Sequence, residues 1–550
     1  MVLSSGFGCG EEEIAAPSLP EYALNTETAY YAFNGPSDGV YYFDNEKKQY
    51  DSNRTVEGYK KYKEAGFDTV LLSGSATFSG DTNSWTDTNE TVKAFNNAVE
   101  AGIEKIVLVD DFFENLIVNQ KLVGDKTFDV EIKYDEKDSD NDGVSDELFE
   151  DVYNELKIYC YKKGFYGIQL GEKPRYDVVK SYGNVYKAIR LATKKLYEEG
   201  VAHNETDGIV KTSGYICINL VLAEVDYNDM SKFYAEELED PTGEKYYESY
   251  KDSYTRYVEG IIDACGGGYN EQTKTGVDKL SVGITLFRKN KIADGFYSML
   301  QLWTDICNKK GVKISYVCQS MTAYTNDALM YDRVSQAEMA MEFYSAIGFG
   351  ITDIAYNSYM PSTNYSTTGF KSMDDGCFLA RDGKENNIYY FGQSVLAEAK
   401  KLSMILSNYK FCGSKLYFDS EDKLKIDSNV YLKTIEDTAC DEGARTLDYE
   451  NGYRFKALKE FSFSNDVALV TELKDSENSL YMYMIQNNID PRNSQFFDTF
   501  GTATVKFSEE YNYVAVIENG EVSYQPLTNG TYTKGLSAGY AVFLVPIKLG

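Results

Sequence analysis

A single histidine in 550 residues leaves little room for imidazole chemistry. It is His203, in the polar run EEGVAHNETDG between a helical pattern and the next strand, where a solvated loop position is the simpler reading. A Ser-His-Asp triad and a His-rich zinc site are therefore not expected, and acid–base chemistry falls to carboxylates. The nine cysteines stand singly, with no C-x-x-C pair, so neither a zinc cluster nor a small disulfide scaffold is indicated. Basic residues are also short: 55 Lys and Arg face 86 Asp and Glu, a net charge of −31 that repels nucleic acid and anionic lipid and favours a neutral partner. No apolar run after the N-terminal segment is long enough to span a bilayer. Neither G-x-G-x-x-G nor G-x-x-x-x-G-K-[ST] follows a strand, which removes dinucleotide and NTP binding.

What is present suffices for packed cores, with 43% hydrophobic and 14% aromatic residues. The length calls for one large domain and a smaller one, and no linker divides the middle of the chain. From Ala29 onward, short β-rich runs alternate with helical patterns that end near glycine. The predicted strands are AYYAFNGP, FDTVLLSG, EKIVLVDDFF, YGIQLGE, GYICINLVLAEV, KLSVGITLFR, VKISYVCQS and ITDIAYNSYM. Eight such units predict a (β/α)8 TIM barrel whose site lies at the carboxyl ends of the strands, with a doubly wound open sheet as the alternative. After a closing helix, GQSVLAEAKKLSMILSNY, the pattern changes to short alternating strands from DVALVTELKD to GYAVFLVPIKL, which predict a C-terminal antiparallel β-sandwich. The expected divisions are an N-terminal spacer over 1–25, the barrel over 26–410 and the sandwich over 411–550.

Several stretches carry a family resemblance: YAFNGPSDG at strand one, YGIQLGEKP at strand four, INLVLAEV at strand five, CQS with the later AEMAMEFYSAIGFG after strand seven, and GYAVFLV near the end. Through them the chain resembles the retaining (β/α)8 glycoside hydrolases of the β-galactosidase kind, family 42 included, and bacterial surface proteins with the same barrel and sandwich. Glycoside hydrolysis uses two carboxyl groups, roughly 5–5.5 Å apart for retention or 6.5–9.5 Å for inversion. The resemblance implies an acid/base at Glu172, where many members carry Asn-Glu or Asp-Glu-Pro and this chain has Gly-Glu-Lys-Pro. A helix cap, or a pair with Arg175, is the competing role for Glu172. At the end of strand seven such enzymes place a nucleophilic glutamate, and this chain offers Gln319, an amide that cannot form a glycosyl-enzyme by carboxylate attack. The remaining strand-end carboxylates are Asp110 and Asp111 after strand three and Glu224 after strand five, with Asp111 and Glu224 preferred as base. One of two adjacent residues can be structural, since consecutive strand residues face opposite ways.

Sugars are held by aromatic faces together with amides and carboxylates. The strand-end set Tyr31, Asn34, Asp38, Trp85, Asn219, Gln319, Arg333, Tyr356, Asn357 and Tyr359 is a candidate lining for a neutral-glycan cleft. For any one of the 48 tyrosines, packing between helices and barrel is the simpler role. The run DSDNDGVSDE sets Asp138, Asp140 and Asp142 at alternate positions before Gly143, with Asp146 at the ninth, the spacing that wraps oxygens around Ca2+. Phe149 replaces the EF-hand glutamate at position twelve, and the run is more similar to the calcium loops of thrombospondin-type and dockerin-like repeats. A merely solvated acidic loop is the alternative. Cys9, after small residues and before an acidic spacer, resembles the end of a bacterial lipoprotein signal, with Gly6 where such signals carry leucine.

The expectation is a secreted or cell-surface carbohydrate-active protein that takes an oligo- or polysaccharide and touches a membrane only through a lipid anchor. Two-carboxylate hydrolysis through Glu172 and non-catalytic glycan binding are both open, the second favoured by Gln319. An adhesion or scaffold role has no specific residue behind it.

Overall fold

The computed structural model describes residues 17–22, 28–74, 85–118, 137–170, 179–201, 217–221, 255–361, 370–372, 377–418, 455–488 and 499–549, apart from positions 34, 44–45, 256, 271, 274, 289–290, 293–295, 326–327, 332, 465–466 and 476. Eight strands form one all-parallel sheet: β1 (Tyr30–Ala32), β2 (Thr69–Ser73), β3 (Lys105–Val109), β4 (Phe165–Leu170), β5 (Cys217–Val221), β6 (Lys279–Gly283), β7 (Lys313–Gln319) and β8 (Asp353–Asn357). Their order is β1-β8-β7-β6-β5-β4-β3-β2, so each strand from β3 to β8 neighbours its predecessor in sequence and the first pairs with the last. The ends of that order also meet. Asp68 N donates to Tyr30 O at 3.0 Å, and the Tyr62 hydroxyl bridges the two strands, accepting from Ala32 N and donating to Thr69 O. All eight strands coincide with the runs expected from the sequence.

Helices α1 (Val56–Glu64), α2 (Glu90–Glu100), α3 (Asp111–Val118), α4 (Asp146–Tyr159), α5 (Val179–Glu198), α6 (Phe296–Lys310), α7 (Gln336–Gly348) and α8 (Asn387–Leu406) fall between or after the strands, with a further helical stretch over 257–264. Their starts follow local chemistry. Thr55, Asn89, Ser145 and Asn386 accept backbone N–H groups of the first turns of α1, α2, α4 and α8, and Ser335 with Glu338 forms a capping box on α7.

Strand alternation sorts the side chains into two cores. Tyr30, Ala32, Val70, Leu72, Ile106 and Leu108 face the helices, whereas Ala29, Tyr31, Leu71, Val107 and Ala355 form a separate cluster on the inner face of the parallel sheet. That inner face is also polar. The Tyr31 hydroxyl lies 2.8 Å from Ser281 Oγ and 3.0 Å from Ser315 Oγ, Lys279 pairs with Asp353, and Lys105 donates to Thr28 O. Pairing and hydrogen bonding are what make buried charge tolerable here.

Loops beyond the carboxyl ends of β6, β7 and β8 weave a feature that the sequence reading did not contain. It is a five-stranded antiparallel sheet, in the order Lys291–Ile292, Phe287–Arg288, Ala328–Tyr331, Ala323–Thr325, Phe370–Ser372. Its strands are two to four residues long, too short to leave a period-2 signature.

The C-terminal strands are β9 (Tyr409–Phe418), β10 (Leu458–Phe463), β11 (Val467–Asp475), β12 (Leu480–Asn487), β13 (Phe500–Phe507), β14 (Tyr513–Glu518), β15 (Glu521–Pro526), β16 (Thr531–Ser537) and β17 (Ala541–Ile547). They make a six-stranded antiparallel sheet, β9-β11-β12-β17-β14-β15, and a three-stranded one, β10-β13-β16. Val470, Ile485, Val516 and Leu544 from the first share a core with Phe463, Val505 and Leu536 from the second, so the two sheets face each other. The opposite face of the larger sheet, with Leu469, Met484, Ile517 and Phe543, joins the main core under the helices. Strands β9 and β10 were not foreseen, since β9 begins within the segment read as the closing helix.

Candidate functional site

The carboxyl ends of the parallel strands hold or adjoin Gln319, Asn357, Asp110 and Asp111 among the residues singled out from sequence, and the structure sorts them into different roles. Gln319, the last residue of β7, is 2% exposed. Its Oε1 accepts from Phe287 N at 2.7 Å, and its Nε2 donates to Phe287 O and to Met321 O, each at 3.2 Å. Both amide hydrogens and the carbonyl are therefore committed to backbone, and the residue anchors the first rim strand after β6. This corrects its assignment as a hydroxyl-holding group: an amide matches a backbone N–H and C=O pair as well as it matches a sugar.

Behind Gln319 lies a carboxylate that the sequence reading missed. Glu342 on α7 is fully buried and accepts from Gln319 N at 2.8 Å and from the Tyr316 hydroxyl at 3.0 Å. Burial first, and Glu342 second, push the Tyr316 hydroxyl well above its ordinary pKa. A signal existed in AEMAMEFYSAIG, a helix with no polar face in which a glutamate must have buried partners.

Tyr31, Tyr356 and Tyr359 are also corrected. Tyr31 sits in the middle of β1, fully buried, with its hydroxyl between Ser281 and Ser315. Tyr356 is outward-facing by alternation and packs against Phe67 and Phe378, while Tyr359 packs against Tyr62, Phe67 and Phe378. Both rings belong to the core, because a bulky aromatic next to helix side chains gains more from burial than from a wet rim. Burial raises the hydroxyl pKa of all three.

Trp85 is half-buried, edge-on to Phe95 and tilted against Tyr159, with Lys162 Nζ 5.5 Å from its ring centre. Asn357 ends β8 in register with Gln319; its side chain is half-buried, and its carbonyl accepts from Ser320 N and Met321 N. Asp38 and Arg333 are exposed, and Asn219 lies on β5 in register with Gln169 and Lys279. Asn34, Glu172, Glu224 and Cys9 lie outside the described residues.

The two aspartates after β3 divide as alternation suggests. Asp110 is buried and accepts from Phe112 N at 2.9 Å, capping α3, with the Tyr159 hydroxyl 3.5 Å away. Asp111, the first residue of α3, is exposed. Of this pair only Asp111 is accessible to a ligand.

In the loop before α4, carboxylate oxygens of Asp138, Asp140 and Asp146 lie within 4.8 Å of one another. Asp138 accepts from Asp142 N and Gly143 N, which curls the loop, and Asn141 and Gly143 adopt positive φ. Asp142 does not join the cluster; its carboxylate caps Val144 N at 2.9 Å. Hydrogen bonds from the Ser139 hydroxyl and backbone, and then Lys137, hold Asp146 down at about 2. Three hard oxygen donors around one point suit a hard cation.

No protein-family profile and no curated protein matches the chain. Among solved structures, it is similar to a family 39 glycoside hydrolase from Bacteroides cellulosilyticus, at 11% identity and a TM-score of 0.41 over 94% of this chain and 80% of that one. It is also similar to an α-amylase from Geobacillus thermoleovorans, at 9% identity and 0.42 over 95% and 99%. A glycoside hydrolase family 5 protein from Bacteroides vulgatus gives 8% identity and 0.41 over 90% and 85%.

Proposed function

We propose that this chain is a glycoside hydrolase-like (β/α)8 barrel protein, secreted or held at a cell surface, that binds a neutral glycan at the carboxyl ends of its parallel strands. The barrel spans residues 26–410 and the β-sandwich 411–550. A net charge of −31 suits an uncharged partner. The observation that carries the reading is the commitment of Gln319. The strand-seven position, where the resembling enzymes hold their nucleophile, is an amide locked onto Phe287, so double displacement has no carboxylate from that side. The strand ends would then hold a sugar without cleaving it through that position.

A second reading, single-displacement hydrolysis, is favoured by the exposure of Asp111, which begins α3 just after the strand next to the one that leads into Glu172. Glu172 would donate the proton and Asp111 or Glu224 would activate water. The Asp138, Asp140 and Asp146 loop, with Asp142 nearby, would hold Ca2+ and stiffen the approach to α4. Cys9 would carry a lipid that tethers the protein.

A glycan array on the full chain, followed by product analysis on every sugar bound, tests both readings. Under the binding reading Glu172→Gln lowers affinity and no product forms. Under the hydrolytic reading the same change leaves affinity nearly intact and lowers turnover by roughly 10²–10⁴-fold. An array without any neutral glycan bound would overturn the proposal.

A further inference from the structure

The opposite end of the parallel sheet carries a second opening, at the seam with the C-terminal strands. A cleft of about 450 Å³ lies where the amino ends of β7 and β8 meet the carboxyl ends of α6, α7 and α8 and the start of β9. That volume is within the range that takes a small ligand, roughly 300–1,000 Å³. Its polar lining is mostly hydroxyls and amides, Thr28, Thr304, Asn308, Ser407, Asn408 and Tyr409, with Asp353 and the exposed Lys313 as its charged members. Phe349 and Ile351 give it an apolar side.

Two of these hydroxyls stand out. Thr28 and Thr304 are 5% and 3% exposed, and neither Oγ1 has a hydrogen-bond partner. A threonine inside a helix ordinarily bonds back to a carbonyl, as Thr193 does to Ile189 O at 2.6 Å, and Thr304 on α6 does not. Both hydroxyls belong to the lining of one cleft, where a bound polar group would satisfy them. Other lining groups are already engaged: Asp353 accepts from Ala29 N and pairs with Lys279, Ser407 Oγ donates to Met404 O, and Asn408 Nδ2 donates to Met404 O and Ile405 O, which leaves Thr28, Thr304 and Asn308 as the groups most open to a ligand. The wall beyond is held in place, with the Tyr22 hydroxyl 3.1 Å from both the Tyr409 hydroxyl and Asp475 Oδ2.

We infer that this seam cleft is a second binding site, distinct from the rim, for a small neutral polyhydroxyl ligand about the size of one sugar ring. Hydroxyl and amide groups that both donate and accept match a polyol, and Phe349 and Ile351 match the C–H face of a ring. The proposal does not rest on the rim reading.

The test is ligand-observed NMR on the full chain with D-glucose, D-galactose, N-acetyl-D-glucosamine and glycerol, each up to about 50 mM. At least one sugar binds, and Thr304→Val and Asn308→Ala each weaken it about fivefold or more, the effect of one lost hydrogen bond. Thr533→Val, an exposed change on the smaller C-terminal sheet, leaves that binding unchanged. Asn308 is exposed, so its alanine variant decides the matter should Thr304→Val fold poorly. Absence of binding by all four probes, or binding indifferent to both cleft variants, would each overturn the inference.

Discussion

Changing Gln319 to glutamate would place a carboxyl group at the end of β7, and the structure expects damage instead of activity. The amide makes three hydrogen bonds, accepting from Phe287 N and donating to Phe287 O and Met321 O. An ionised carboxylate keeps only the first. Its second oxygen would face two carbonyl oxygens, and Glu342 already stands 2.8 Å from the residue's own N–H. Losing those two donors to Phe287 O and Met321 O costs about 1–3 kcal/mol each, and burying the new charge adds to it, so a loss of about 3–6 kcal/mol is expected near neutral pH. Protonation of the substituted carboxyl recovers one donor. That group would therefore have a folded pKa raised above its unfolded value, and the penalty should shrink as the pH falls from about 8 to about 5. Urea unfolding of Gln319→Glu and wild type at both ends of that range measures this, with Gln319→Met as a charge-free control. Equal stability of the variant and wild type at about pH 8, or the appearance of glycosidase activity, would refute the reasoning.

Other expectations follow from the same structure. Arg190 is 1% exposed and pairs with both oxygens of Asp278 at 2.8 Å, so Arg190→Leu should lower unfolding stability by about 3–5 kcal/mol by taking the guanidinium away from that carboxylate, a loss that urea unfolding reads directly. Asp146 has a folded pKa lowered to about 2, so its stabilisation is present above the unfolded carboxylate range, near 4, and is lost as the pH falls through about 2. Melting curves of wild type and Asp146→Asn should accordingly converge across that interval. If the same loop holds Ca2+, chelation should lower Tm reversibly and Asp138→Asn should abolish the difference; identical curves in chelator and in millimolar calcium would remove the site.

How much of this was legible in the sequence depended on the range of the interaction that decides each feature. The parallel strands were readable because hydrophobic period and glycine punctuation are local, and Val70, Leu72, Ile106 and Leu108 alternate as written. The direction of Tyr31 and Tyr356 was not, since a strand end invites a cleft reading while one step of alternation turns a ring to the inner face or to the helices. Gln319 looked like a lost nucleophile, which the chain alone suggests; that its amide would clasp a backbone 32 residues away is a tertiary fact. The rim sheet left no signal in runs of two to four residues. The acidic loop was legible in spacing, yet Asp142 turned to a local N–H, the competition that short polar side chains always face.

The larger C-terminal sheet has a mechanical meaning for the whole chain. Gln486 on β12 accepts from Ser345 Oγ and donates to Met341 O, both on α7, and to Gly539 O, while Gly348 at the end of that helix lies so close that an added Cβ would stand 2.4 Å from the Met484 methyl. Strand β17 is buried along its full length. The sheet thus serves as flooring for α7 and α8 and not as an appended module. A protease cut or a stop codon near residue 410 would leave two helices with a bare apolar face, so the parallel-sheet half should lose stability and aggregate when trimmed or displayed alone.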